Sequence, residues 1–452
     1  MLEKIFRLKE NGTTVRTEIT AGITTFMTMA YILAVNPSIL SAAGMDSTAV
    51  LIATCLASFL GTLCMALMAN LPFAISAAMG LNAFFAYTVC GVMGYPWHVA
   101  LFAVFIEGII FIILSLTNIR EAIFNAIPLF LKKAVSTGIG LFIAFIGLQN
   151  AELSVDNAST LVSLVSFREQ FHTTGISALL AVIGIFITAS LHVRHVKGDM
   201  LIGILATWIL GMICQLCGIY IPDETHASLF PSFHMTHFSA IGETFGKCFQ
   251  IDMHEVGILN FIVVVFSFLF VDLFDTIGTL IGISSKANML DKDGKLPAIR
   301  PALLADAVAT TAGAILGTST TSTFSESAAG VGAGGKTGLT SLTTAVLFLV
   351  SILLAPIFIA IPPFATAPTL IIVGFLMFSS ITEVPFDSDH LHEALPAYLC
   401  TLAMPLFYSI SDGIAIGIIS YTILSTVAGK HKNVNPVLWV LSVLFILKYV
   451  FL

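Results

Sequence analysis

Apolar runs of about 17 to 25 residues, set off by turn residues and charges, recur along this chain, and each is long enough to cross a bilayer as a helix. They predict fourteen spans, at 19–36, 48–69, 72–93, 96–116, 128–149, 176–193, 199–220, 257–282, 301–317, 320–334, 338–361, 364–380, 390–409 and 411–428. A last apolar stretch, "PVLWVLSVLFILKYVFL", fits either a fifteenth span or a helix lying in the interface. Two spans depart from a continuous helix. In "LPFAISAAMGLNAFFAYTV" (71–89) small residues and Gly80 interrupt the apolar run. In "GTSTTSTFSESAAGVGAGG" (317–335) Ser and Thr crowd the first part and Gly the second, which suits a short extended strand followed by a half-helix. Non-helical backbone is tolerated at membrane depth only where protein buries it or it lines a wet cavity. These are the third and tenth spans, and interrupted spans at matching places in two halves point to a transporter's binding site.

A weak internal repeat agrees. "ATCLASFLGTL" (53–63) resembles "ATTAGAILGTS" (309–319), in the second and ninth spans, and the fifth span more faintly resembles the twelfth. A repeat of seven spans is odd in number, so its two halves are expected to be inverted in the membrane, a 7+7 inverted repeat.

Composition narrows the class. Of 452 residues, 57% are hydrophobic and only 10% charged, with a mean hydropathy of +0.99. Soluble domains carry about 25% charged residues, so this is an all-α polytopic membrane protein. The amphipathic, basic start, "MLEKIFRLKENGTTVRTE", lacks the apolar core and cleavage site of a signal peptide and reads as a cytoplasmic lead-in helix. With the N-terminus inside, sixteen Lys and Arg, among them Arg120, Lys197, Lys292, Lys295 and Lys336, fall on the cytoplasmic side. Only Arg168 and Lys247 fall outside, and Lys448 lies in the unassigned tail; this asymmetry supports the topology. Cys214 and Cys217 form a C-x-x-C, but "GMICQLCGIY" offers neither a second pair nor a polar setting, so they read as small hydrophobes rather than a redox or zinc site. The His residues, such as His234 and His237, lie mostly in loops without metal-ligand spacing. No metal and no cofactor is expected.

Charges inside spans are costly and mark pathways. They are Glu107, Asp272, Asp275, Asp306 and Glu326, with Glu18, Glu393 and Asp412 near span ends, and no Arg or Lys sits mid-span. An acidic interior without a fixed cation suits hydrogen-bond donors or cations, not anions. In "FLFVDLFDTIGTLIG" (268–282), Asp275 and Thr279 share a helix face and Asp272 lies one turn earlier. Two carboxyls this close in low dielectric do not both ionise readily, which is what proton coupling needs. Asp272 equally fits a bond to a neighbouring Ser or Thr. Glu326 precedes the small-residue helix "SAAGVGAGG"; a start near Ser325 would put its free N–H groups at a cavity, so that carboxylate and backbone together match a planar heterocycle. Asn82 is the matching polar group of the third span, and Phe84 or Phe85 could either stack on a ligand or simply pack. Thr24, Thr25 and Thr28 in the first span are weaker candidates, since such hydroxyls often bond their own helix. Asp306 and Glu107 read as structural or as relay groups.

Gly330 to Thr337 also fits G-x-x-x-x-G-K-[ST], the phosphate-cradling P-loop. A P-loop joins a strand to a helix in a charge-rich soluble domain. Here membrane sequence flanks both sides, so the glycines are expected to serve close helix packing.

Four stretches, "GTTVRTEITAGITTFMTMAYILAVNP", "MGLNAFFAYTV", "DLFDTIGTLIG" and "GTSTTSTFSESAAGVGAGGKTGLT", closely resemble the AzgA-type purine permeases of the nucleobase–ascorbate (nucleobase–cation symporter-2) superfamily, from about residue 5 onward. The resemblance implies a core domain over 17–116 and 257–361 and a gate domain over 117–256 and 362–452. It implies proton-coupled uptake of adenine, guanine or hypoxanthine across the plasma membrane, the inner membrane in a bacterium, often by a homodimer. Its site residues fall on Asp275, Glu326 and Asn82. The uracil-type branch has a His where this chain has Thr279, which favours purines. The expected site is therefore Glu326, Asp275, Asn82, Phe84, Phe85, Ser325, Thr25 and Thr279, with Asp275, Glu326 and Asp272 as proton-coupling candidates. Sodium as the driving ion stays open. An anion carrier of the same fold predicts a basic site, and an intramembrane aspartyl enzyme needs a G-x-G-D stretch that is missing. Neither an enzyme nor a nucleic-acid binder is expected.

Overall fold

A computed structural model describes residues 2–116, 128–168, 170–223, 228–231, 238–251, 257–286, 289, 296–386 and 390–451. Arg120, His234, His237, Lys292 and Lys295, and the 117 and 256 ends of the expected gate segment, lie outside the described residues. The helices include α1 (Leu2–Phe6), α2 (Val15–Met29), α3 (Ile32–Ser41), α4 (Ser47–Cys64), α5 (Met79–Ala83), α6 (Trp97–Leu116), α7 (Leu129–Asn150), α8 (Ile176–Val193) and α9 (Asp199–Leu216). They continue with α10 (Ile258–Lys286), α11 (Ile299–Leu316), α12 (Ser327–Gly332), α13 (Gly338–Ser351), α14 (Pro363–Phe378), α15 (Leu391–Leu406), α16 (Ile410–Val427) and α17 (Pro436–Phe451). The strands are β1 (Ile75–Ala77), β2 (Ser154–Asn157), β3 (Leu161–Leu164) and β4 (Thr321–Thr323). Among the described residues, ten helices are long and apolar enough to cross a membrane. The chain is a helical, multi-pass membrane protein.

Polar residues punctuate the apolar runs as their capping chemistry requires. Thr14, Asp46 and Ser409 each accept a backbone N–H in the first turn of α2, α4 and α16. The first span is longer than its apolar run and is not one uninterrupted helix. A tightened turn at Ala30–Tyr31 separates α2 from α3, with Leu33 N–H donating to Ala30 O at 3.1 Å. A hairpin, β2–β3, occupies part of a loop for which the hydrophobic pattern predicts nothing. The closing apolar stretch is helical. α17 runs antiparallel along α16, with Ser442 against Thr422 at 2.9 Å and Tyr449 donating to Asp412 at 2.8 Å.

The two interrupted segments meet. β1 and β4 pair antiparallel, Ile75 with Thr323, Ser76 with Ser322 and Ala77 with Thr321. All six residues are buried. A two-stranded sheet has two unpaired edges, and buried backbone groups need partners within the protein. Hydroxyls of the neighbouring helices do so instead. Thr62 of α4 both donates to Ile75 O and accepts from Ile75 N–H, each at 2.9 Å. Thr310 of α11 donates to Thr321 O at 2.9 Å, and Ser341 of α13 donates to Leu71 O at 2.6 Å and Phe73 O at 2.9 Å. Ser327 of α12 accepts from Ala74 N–H at 3.0 Å. This explains the Ser and Thr content of otherwise apolar helices.

Helix packing falls into two sets. α6 lies along α11, α4 along α11 and α13, and α2 along α13; these enclose the strand pair. α7 lies along α14 and α15, α8 along α9 and α14, and α15 along α16. Small residues let these backbones touch. A Cβ on Gly140 of α7 would stand 2.6 Å from Gly374 O of α14, so only glycine permits this crossing.

Candidate functional site

β4 ends at Thr323, and the chain turns through Phe324 and Ser325 to Glu326, which takes the residue position just ahead of α12. Ser325 is exposed and Glu326 half-buried. Both Glu326 oxygens are held. Tyr31, fully buried at the turn in the first span, donates its hydroxyl to Oε1 at 2.5 Å, and Ser325 donates to Oε2 at 3.1 Å. Asp275, half-buried on α10, accepts from Ser322 Oγ of β4 at 2.7 Å. Ser322 is thus the link between Asp275 and the strand that leads into Glu326. Thr279 is half-buried one turn further along α10. Among the described residues, the ion pairs are Lys133–Glu383, His192–Asp199 and His392–Glu393, and none involves Glu326 or Asp275.

The remaining expected residues sit behind this arrangement rather than on it. Asn82 is fully buried; it donates to Asn36 Oδ1 at 2.5 Å and accepts from Ser319. Asn36 in turn donates to Thr54 at 2.7 Å and Thr318 at 3.0 Å, so this net ties both interrupted segments to α3 and α4. Phe84 and Phe85 are fully buried, and both pack against Phe268 of α10, with centroids 5.0 and 6.4 Å away. Thr25 is buried against α12, where a Cβ on Gly330 would collide with its hydroxyl and stand 2.8 Å from Ala21 O. Asp272 shares Thr276 with Asp306, at 2.9 and 3.0 Å, deep between α10 and α11. Glu107 accepts from Thr320 at 2.7 Å.

The sequence pattern passed over Tyr31 and Ser322. A signal existed for the first: a tyrosine in the middle of an apolar span must find a partner for its hydroxyl. Ser322 carried none, because nothing in the spacing says which of six consecutive Ser and Thr faces α10.

A strand pair flanked by half-helices is set in a helical bundle with two half-buried carboxylates, Glu326 and Asp275, beside it, and the chain's family and relatives make it a transporter and not an enzyme. Residues 16–416 match the family model Xan_ur_permease, described as the Permease family, and the chain belongs to that family of nucleobase and ascorbate transporters. It is 40% identical over 452 residues to the adenine permease AdeP of Escherichia coli, covering 100% of this chain and 96% of that one. It is 44% identical over 450 residues to the guanine/hypoxanthine permease PbuO of Bacillus subtilis, covering 98% and 99%. In fold it is similar to the transmembrane domain of the cyanobacterial bicarbonate transporter BicA, with a TM-score of 0.63 at 15% identity over 89% of this chain and 97% of that one.

Proposed function

We propose that this chain is a proton-coupled importer of purine nucleobases, adenine, guanine or hypoxanthine, in the plasma membrane. The observation that carries the reading is Glu326: a half-buried carboxylate beside the strand pair, oriented by two hydroxyls and in no ion pair among the described residues. Two acceptor oxygens in one plane match adjacent N–H donors on the edge of a flat ring, and charge-assisted bonds of this kind are about twice as strong as neutral ones. Asp275 would carry or sense the coupling proton beside it. The whole-length similarity to permeases named for adenine and for guanine and hypoxanthine supports the same substrate class. The anion-carrying alternative has only the fold in common, and two carboxylates in no ion pair among the described residues argue against it.

The ten long helices, the two strand–helix segments, α10 and α15 make fourteen spans, which we assign to a 7+7 inverted repeat. The two packing sets would be a core (17–116 and 257–361) and a gate (117–256 and 362–452), with the N-terminus cytoplasmic. In this reading the outer face is closed where the two sets touch: Thr88 donates to Tyr408 O at 2.6 Å, and Tyr87 donates to Asn150 Oδ1 at 3.3 Å. In a cysteine-free background, Thr88→Cys should react with a membrane-impermeant thiol reagent applied outside, at a rate that changes when purine is added. A rate indifferent to purine would remove the gate assignment.

The substrate and coupling are tested by uptake of labelled adenine in cells lacking their own purine transport. Unlabelled purines should compete, uracil should not, and a protonophore should collapse accumulation while sodium removal leaves it intact. Accumulation that survives the protonophore would exclude proton coupling.

A further inference from the structure

We infer that Tyr31, a residue of the first span outside both interrupted segments, is a positioning residue of the solute site, fixing the plane of the Glu326 carboxylate against which a nucleobase is bound. The inference rests on the purine reading above and deepens it. A carboxylate on a short turn is free to rotate about its side-chain bonds, and a flat ring offering two N–H donors is bound well only if both oxygens are presented in its plane. Two hydroxyls hold Glu326, and they are not equivalent. Ser325 is its chain neighbour, exposed, and 3.1 Å from Oε2. Tyr31 is fully buried, 2.5 Å from Oε1, and comes from an element 295 positions away in the chain. A buried ring has no rotational freedom to lose, so its hydroxyl is the fixed reference for the pair.

The backbone is arranged to keep it there. Tyr31 sits at the tightened turn between α2 and α3, where Leu33 N–H donates to Ala30 O at 3.1 Å. One turn earlier, Thr28 Oγ1 lies 3.5 Å from Glu326 O, besides bonding Thr24 O and Thr25 O of its own helix. One further turn back, Thr25 faces Gly330 so closely that no larger residue fits. The first span therefore grips the tenth-span segment at three successive turns, and Tyr31 is the contact that reaches the ligand-binding group.

Tyr31→Phe removes one oxygen and keeps the buried ring. A hydrogen bond to a charged group is worth enough that the KM for adenine should rise about tenfold or more, with Vmax per molecule of protein little changed. Discrimination between adenine and an N-methylated adenine that lacks one ring N–H should also shrink, because a loosely held carboxylate no longer demands both donors. Ser325→Ala should move KM less than Tyr31→Phe. A merely structural tyrosine would lower the amount of protein in the membrane and leave KM and the discrimination ratio where they were; that result, with normal wild-type uptake, overturns the role of Tyr31 alone. Absence of saturable adenine uptake by the wild type overturns the purine reading and this role with it.

Discussion

Glu326→Gln is expected to abolish uptake of labelled purine while the protein remains in the membrane at its normal level. The substitution keeps the shape and both positions that Tyr31 and Ser325 approach, so folding has little reason to change. What it alters is the face offered to the solute. A carboxylate presents two acceptors; an amide presents one acceptor and one N–H₂ donor, which is set against the N–H of the base. The loss includes one charge-assisted bond, about 1.5–3 kcal/mol, together with the charge that strengthens the other and a donor–donor clash. Together these predict at least a roughly 100-fold fall in initial uptake rate at low substrate concentration. The measurement is initial rate per amount of protein in the membrane. Wild-type rates in the variant would mean that Glu326 does not bind the solute.

Glu18→Ala should have the largest effect on stability. The Glu18 side chain is fully buried on α2. Its Oε1 accepts from Lys336 N–H at 3.0 Å. Its Oε2 accepts from Thr337 N–H at 3.2 Å, Thr337 Oγ1 at 2.9 Å, Thr340 N–H at 3.3 Å and Thr340 Oγ1 at 2.7 Å. These donors cluster at the start of α13, where a negative charge is also favoured by the helix dipole. Truncation leaves the Lys336 and Thr337 amides and the Thr337 hydroxyl without their acceptor, each at a cost of about 1–3 kcal/mol, while Thr340 keeps Thr337 O for its N–H at 3.1 Å and Glu18 O for its hydroxyl at 3.3 Å. Partial relaxation still leaves a loss of at least about 3 kcal/mol. The purified protein should unfold at a clearly lower temperature, and Glu18→Gln, which keeps one acceptor, should fall between. Equal melting of wild type and Glu18→Ala would refute the anchor.

The Glu18 contacts also account for the P-loop match. Gly330 to Thr337 leads into a helix N-terminus whose amides hold an anion, as a P-loop does. The anion is a carboxylate of the same chain. Membrane sequence on either side was sufficient to set a nucleotide aside, but no spacing rule links position 18 to position 336. That pairing, across 318 residues, exists only because α2 packs along α13.

The same contrast runs through the candidate site. Glu326 and Asp275 stood out because isolated acids in apolar spans are rare and costly, a property of composition and local context. Asn82, Phe84 and Phe85 stood out for the same local reasons, and the structure puts them in a buried net and a ring cluster behind the strand pair. Whether a polar or aromatic residue on an interrupted span faces the opening or the interior is set by how that span is rotated against its neighbours. Tyr31 reversed the case: an apolar context hid it, and its partner lies on another element.

What this sequence determined by itself was everything that repeats or is expensive: the number and length of apolar runs, the two places where a helix could not continue, and the acids. These follow from the bilayer's thickness and from the cost of bare backbone and charge within it, which act on each segment independently. Only the tertiary structure decided which hydroxyl satisfies which strand edge, that Glu18 and not a phosphate fills the turn before α13, and that Tyr31 stands behind Glu326. Those are pairings between distant segments. A buried donor is satisfied by any acceptor that packing brings within about 3 Å, and one-dimensional spacing carries no information about which one that will be.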